Sequence, residues 1–161
     1  MRRPSILWTC AVLLVLGSAP AFAQDPAAAA AKPAEPKVTF TTDAGILLAT
    51  IKPDGTAAFE ELIGKIKAGA SKATDATVKS QIAAMKVFKA AEPGPSGNAV
   101  YVIFFDPASK GAEHELFNLL QKVLTPEELR APEIAEFFKK ATGAFASGYN
   151  KLSLTPVGGG M

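Results

Sequence analysis

Histidine is the residue type best suited to act as a base or metal ligand near neutral pH, and the sequence contains one, His114. A Ser-His-Asp triad or a multi-histidine metal site would have to be built around it. Apolar residues within 116–123 recur with helical spacing, and on that helix His114 would lie opposite to them. The neighbouring Glu113 and Glu115 would diverge by about 100° rather than converge on a metal. We therefore predict a solvent-exposed histidine without a catalytic or metal-binding role.

Two glycine-containing motifs have the composition of functional loops, but they lack the flanking strands and helices that such loops require. Gly94-Pro95-Ser96-Gly97 is similar to part of the nucleophile elbow of hydrolases, which requires a strand before the serine and a helix after it. Here a strand follows, so the motif predicts a hairpin loop. Gly158-Gly159-Gly160 precedes no helix that could present backbone donors to a phosphate. We interpret residues 158–161 as a disordered tail.

The remaining candidates for a ligand site are Lys86, Tyr101 and Tyr149, which could reach a pocket between a sheet and its helices. Tyr101 lies in an apolar strand, where tyrosine is often a core aromatic with its hydroxyl at the rim. Phe137 and Phe138 are likewise interpreted as core residues. The sequence therefore predicts no catalytic residue, no metal ligand and no cofactor, and it leaves one speculative pocket for a small apolar ligand.

The charge balance argues against nucleic acid as a partner. The chain has 17 basic and 15 acidic residues, and its first 23 residues contain two of the basic ones and none of the acidic ones. Residues 24–161 thus have a formal charge of zero and a single arginine, Arg130. A protein that binds a phosphate backbone needs an excess of Lys and Arg on one face. We expect no nucleic-acid partner.

The N-terminus has the organisation of a signal peptide. Arg2 and Arg3 precede an apolar run over residues 6–16, and Ala21-Phe22-Ala23 supplies a small-x-small cleavage site. The run is shorter than the ~20 apolar residues that a membrane span requires. We predict export to the periplasm or the extracellular medium, cleavage after Ala23 and no stable membrane span afterwards. The only cysteine, Cys10, would be removed, so the mature chain would depend on its core and not on disulfides.

Composition divides the rest of the chain into a tether and one domain. Residues 24–37 lack a large apolar side chain, which predicts a flexible Ala/Pro-rich tether. Residues 38–157 are predicted to form a single α+β domain. Its expected elements are an extended segment over 38–51 interrupted at 43–45, a helix around 59–66, a strand over 82–91, a strand over 99–105, a helical region over 116–145 and a final strand over 151–157.

This order of elements is the split βαββαβ pattern of ferredoxin-like domains, an antiparallel sheet with helices on one face. The strand over 99–105 is apolar on both sides, as expected of a central strand that is covered on both faces. A homodimer with two sheets face to face, as in a dimeric α/β barrel, would supply the second cover. The alternative is a monomer in which residues 38–42 and the second helical region cover that face.

The stretch over residues 85–98, continuing into Val100-Tyr101 and Asp106-Pro107, resembles a group of small exported bacterial proteins of unknown function. The resemblance covers most of the mature chain. The expected shape is also similar to the dimeric α/β-barrel superfamily, which includes cofactor-independent monooxygenases and haem proteins, although no motif matches. Neither resemblance implies a catalytic residue. We expect a non-enzymatic exported protein that binds a small apolar ligand or a cell-envelope partner, with a cofactor-independent monooxygenase as the alternative.

The export prediction is tested by the N-terminus of the protein that leaves the cytoplasm. When the full chain is expressed in a bacterium, intact-mass measurement should find a product that begins at Gln24. Ala23→Phe should abolish that product, because the peptidase cleft accepts small side chains. Ala28→Phe, in the tether, should leave it unchanged. A chain that retains Met1, or cleavage at Gln24 that tolerates Ala23→Phe, would contradict the prediction.

Overall fold

The computed structural model describes residues 38–157. The predictions for the signal peptide (1–23), the tether (24–37) and the tail (158–161) lie outside these residues. None of the helices that the structure describes has the length and apolar character to cross a membrane. The strands are β1 (Ala44–Ile51), β2 (Met85–Lys89), β3 (Ala99–Phe105) and β4 (Asn150–Leu154), and the helices are α1 (Thr56–Gly69), α2 (Ala76–Ala84), α3 (Leu116–Val123), α4 (Pro126–Arg130) and α5 (Pro132–Ala144).

The four strands form one sheet in the order β2-β3-β1-β4, and every neighbouring pair is antiparallel. The two central strands, β1 and β3, are the most apolar ones, as expected for strands that have a hydrogen-bonded neighbour on each side. The structure confirms the predicted α+β class and antiparallel sheet. Its order of strands and helices is compatible with the predicted ferredoxin-like fold.

Helices cover one face of this sheet. Leu47, Ala49 and Ile51 of β1 are fully buried, and so is Ile103 of β3, whereas the residues between them are only half-buried. Successive strand residues point to opposite faces, so this alternation marks a covered face and an open face. Within the described chain the helices cover only one face of β3, as the split βαββαβ pattern predicts, so no described element supplies the second cover that the apolar sequence of β3 predicts.

The helix predicted around 59–66 is confirmed as part of α1, and a capping motif begins α4. Phe59, Leu62, Ile63 and Ile66 of α1 are buried, at the spacing that places them on one helical face. Thr125 and Glu128 form a reciprocal capping box, in which each side chain accepts the backbone N–H of the other residue.

Two predicted boundaries are wrong because side-chain or backbone partners define different ones. The expected strand over 82–91 begins at residue 85, since Asp75 caps α2 by accepting the N–H of Thr77 and the helix continues to Ala84. The helical region predicted over 116–145 extends one residue too far. The last helix ends at Ala144, because the Ala144 carbonyl accepts the N–H of Lys52 at 2.9 Å and Phe145 pairs with the end of β1.

The final strand is also shorter than the range 151–157 that the sequence predicts. β4 ends at Leu154, and Leu152 is 48% exposed on the open face. Val157 lies beyond the strand and is fully exposed. Alternation of apolar and polar residues gives the two faces of an edge strand correctly but does not show which face is covered.

The segment before β1 packs on the covered face. Phe40 is 1% exposed, and its ring lies directly over Gly45, where a Cβ would collide with the ring. The N–H of His114 donates to the Val38 carbonyl at 2.7 Å, and the N–H of Val38 donates to the Glu113 carboxylate at 2.7 Å. Residues 38–40 are thereby held against the start of α3, so in the described chain they do not cover the open face.

The fit of Phe40 over Gly45 is tested by adding one methyl group. Gly45→Ala should lower the free energy of unfolding by about 1 to 3 kcal/mol, because the core there is already filled. Gly64→Ala is the control, since nothing lies within 4 Å of its Cβ position in α1. There alanine should raise the free energy of unfolding by up to about 1 kcal/mol. Urea unfolding measures both, and a Gly45→Ala protein as stable as the original would contradict the packing.

Candidate functional site

The open face of the sheet presents apolar side chains from all four strands. Ile46 lies opposite both Phe104 and Leu152, and Leu48 lies opposite Val102 in the next row. These side chains are half-buried or exposed, and they adjoin one another without a helix over them. We define the open face by these residues and their neighbours on the two edge strands: Ile46, Leu48, Phe88, Val102, Phe104, Leu152 and Leu154.

The exposure of this surface is greatest at its edges. Phe88 of β2 is 56% exposed, although a phenylalanine of a folded domain normally buries most of its area. Lys86, two residues earlier on the same strand, extends over Phe104 with its Nζ atom 5.9 Å from the ring centroid. The predicted ligand residue Lys86 therefore lies on the open face, at its edge.

A cavity of about 580 Å³ adjoins one end of the open face. Phe104, Leu154 and Ala44 supply its apolar part. Asp43 and Lys110 form an ion pair of 2.9 Å at its rim, with both side chains largely in solvent. The other lining residues are Thr41, Thr42, Asp106, Thr155 and Pro156. An apolar floor with a polar rim is the usual composition of a small-molecule site.

Tyr101 lies on the covered face, opposite to Lys86. Its hydroxyl donates to Glu60 Oε1 at 2.6 Å, and Lys89 Nζ donates to the same oxygen at 3.1 Å. The hydrogen bonds from Tyr101 and Lys89 lower the pKa of the Glu60 carboxyl, whereas burial and the bond to Glu60 raise the pKa of the Tyr101 phenol. Glu60 and Lys89 are about half exposed, so this cluster is a surface ion pair with a tyrosine and not an enclosed acid and base.

Tyr149 lies at a third place, in the segment between α5 and β4. It lines a separate cavity of about 390 Å³ beside α3 and α5. Its hydroxyl is buried next to Glu115 and has no hydrogen-bond partner among residues 38–157. Burial, with a further contribution from the Glu115 charge, raises the pKa of the Tyr149 phenol above its usual range.

The three residues predicted to share one pocket thus occupy three sites. Strand register places Lys86 and Tyr101 on opposite faces, because Lys86 pairs with Phe104 and Tyr101 pairs with Lys89. Of the two phenylalanines interpreted as core, Phe137 is buried and Phe138 lines the cavity beside Tyr149. Ser96 lies in a turn between β2 and β3, as the hairpin prediction requires.

His114 is buried, so the prediction of a solvent-exposed histidine is wrong. Its ring lies between those of Phe40 and Phe105, with both centroid distances at 4.8 Å. Nδ1 lies 2.8 Å from the Ala112 carbonyl oxygen, which can only accept, so Nδ1 carries the proton. The prediction failed because α3 begins at Leu116, and His114 belongs to the segment that pairs with Val38 rather than to the helix.

Burial lowers the pKa of His114 and favours its neutral form. Nε2 is buried without a partner among the described residues, so a proton there would be an unpaired donor in the core. The described residues contain no group of three His, Cys, Asp or Glu side chains that could hold a metal ion. We conclude that His114 is an aromatic element of the core.

Comparisons with protein-family models, curated proteins and solved structures found no match to this chain.

The burial of neutral His114 makes stability depend on pH. The unfolded chain takes up a proton near pH 6.5, whereas the folded chain, with its lowered pKa, does so only at a lower pH. The free energy of unfolding should therefore fall as the pH falls below about 6.5, by up to about 2 kcal/mol at pH 5. Urea unfolding at pH 7.5 and pH 5 measures this loss.

His114→Phe is the matched variant, since it keeps an aromatic ring and cannot titrate. It should lose less stability than the original protein between the two pH values. Burial raises the pKa of Glu115, which acts in the opposite direction, but this contribution is common to both proteins. Equal losses of unfolding free energy in the two proteins would contradict the burial of His114 in its neutral form.

Proposed function

We propose that this is an exported, non-enzymatic binding protein that works as a homodimer, in which two open faces pack together and the end cavities hold a small apolar ligand. The observation that carries the proposal is the open face itself, a largely apolar side of the sheet that no described element covers. Export is supported by the signal-peptide pattern of residues 1–23.

A second copy of the chain is the partner that fits this face. Apart from Lys86 at the β2 edge, no described side chain on this face is charged, so pairing with an identical face buries no like charges at the centre. Two sheets pack at about 10 Å when both present interdigitating apolar side chains, and the edge strands here present Phe88 and Leu152 for this purpose. Lys86 lies at the edge, where its ammonium group can stay in water.

The size of the face predicts how strong this pairing is. The outer strand axes are about 14 Å apart and β1 is about 27 Å long, which gives a projected area of roughly 400 Å² per copy. A pair of faces therefore covers roughly 800 Å², which is below the ~1,000 Å² of most specific interfaces and is the size of a weak, transient one. We expect a dimer in concentration-dependent exchange with its monomer.

The end cavity gives the dimer a place for a ligand. Phe104 and Leu154 belong both to the open face and to the cavity of about 580 Å³, so a copy packed on the face would also close part of the cavity. The space would then have apolar walls and the Asp43–Lys110 rim. A small apolar molecule is the ligand class that fits this lining.

The arrangement of polar groups favours binding over catalysis. A cofactor-independent monooxygenase would need converging polar groups inside a closed pocket. The cluster that does converge, Tyr101 with Glu60 and Lys89, lies at an exposed edge on the other side of the sheet. We therefore place no catalytic role in the proposal.

The dimer is tested with a charged residue on the open face. Sedimentation velocity of the exported protein should show a sedimentation coefficient that rises with concentration over the micromolar range. Phe88→Lys should keep the protein monomeric, because it would bury two ammonium groups in the interface. Leu129→Lys is the matched control, since Leu129 is also exposed, at 39%, but lies on α4 and away from the open face.

Two results would overturn the dimer. One is a monomer at every concentration, and the other is a dimer that Phe88→Lys leaves intact. Native mass spectrometry of the same samples tests the ligand. A small-molecule adduct on the original protein that is lost in Phe88→Lys supports it, and dimers without any adduct contradict it.

A further inference from the structure

A cavity lined by four aromatic rings lies between α3, α5 and the segment that leads to β4. Its volume is about 390 Å³, within the range of sites for small molecules. We call it the aromatic cavity and define it by Phe117, Phe138, Phe145 and Tyr149, with Gln121, Thr142, Ser147 and Gly148 as its other lining residues. It is separate from the open face, with which it shares no residue.

The four rings follow one another around the cavity. The ring centroid of Phe117 lies 5.9 Å from those of both Phe138 and Phe145. The centroids of Phe145 and Tyr149 are 5.1 Å apart, in an edge-to-face arrangement. All four are only partly buried, whereas Phe137, next to Phe138 on α5, is buried in the core. Each of the four therefore packs against the core with part of its ring and borders the cavity with another part.

A partly buried polar pair, Tyr149 and Glu115, lies at one wall. Glu115 accepts the N–H of Asn118 at 2.7 Å, which fixes the carboxylate at the start of α3. Its charge lies close enough to Tyr149 to raise the pKa of the phenol, and burial raises the pKa of Glu115 itself. A cation near this wall would stabilise the ionised form of Glu115. None of the residues that line the cavity is basic, so a cation would meet no repulsive charge there.

We propose that the aromatic cavity binds a small quaternary ammonium cation, with its methyl groups against the four rings and its charge balanced by Glu115 behind Tyr149. Aromatic faces attract cations, and methylated ammonium groups are the ones that aromatic cages select. A primary ammonium would bring three N–H donors that need acceptors. The lining offers such donors only neutral oxygens, as in the side chains of Gln121, Thr142 and Ser147, whereas a quaternary ammonium has no N–H to satisfy.

The probes are choline and 3,3-dimethylbutan-1-ol, which has the same shape without the charge. Proton NMR titration of the original protein should show the choline methyl signal moving upfield, as expected for methyl groups near ring faces. Choline should bind at least about tenfold more tightly than the neutral probe. Equal affinities, or no choline binding, would overturn the proposal without any variant.

Three variants assign the binding to this cavity. Glu115→Gln removes the charge but keeps an acceptor for Asn118, and it should weaken choline about fivefold or more while the neutral probe is unaffected. Phe138→Leu removes a ring from a half-buried position and should weaken choline similarly. Phe88→Leu, the same change on the open face, should have no effect. Choline affinity that neither Glu115→Gln nor Phe138→Leu changes would overturn the proposal.

The site is independent of the homodimer proposed above. Phe88→Lys, which should prevent dimerisation, should bind choline with the affinity of the original protein. Loss of choline binding in Phe88→Lys would contradict a site that lies within one copy.

Discussion

The strict alternation of side chains along a β-strand is the constraint on which this structure depends. β1 and β3 are apolar at nearly every position, but the helices of the described chain pack on one side of the sheet only. Every second residue of these strands is therefore buried under helices, and the others form the open face. The helices bury the apolar side chains on one side of the sheet, and those on the other side form an apolar surface.

The covered side is filled by more than helices. Phe40 enters it over Gly45, and His114 packs between Phe40 and Phe105 as a neutral ring. This arrangement ties the segment before β1 to the start of α3, so neither is available to cover the open face. At the other end of the helical layer, α5 stops at Ala144, and the turn into β4 leaves the aromatic cavity. Both candidate binding surfaces thus follow from how the covered side is closed.

Sequence periodicity predicts the elements well and their partners poorly. Helix α1 and strand β3 have single, long apolar patterns, and the capping box before α4 is a local motif, so all three could be predicted. The burial of His114 could not be predicted. Extending the helical periodicity of α3 back to residue 114 places this side chain on the exposed face of a helix, but α3 begins at Leu116. Lys86 and Tyr101 were grouped by residue type, but strand register places them on opposite faces. Phe138 packs against the core as predicted, but periodicity does not show that it also borders a cavity.

The central claim is that the open face is covered by a second copy of the chain. Isotope-filtered NMR on a mixture of ¹³C-labelled and unlabelled protein tests it most directly, because it detects only contacts between copies. If two open faces pack together, intermolecular contacts should join the methyl groups of Leu48 and Val102 to the ring protons of Phe88 and Phe104. Intermolecular contacts confined to the helices, or none at concentrations in the high micromolar range, would contradict it.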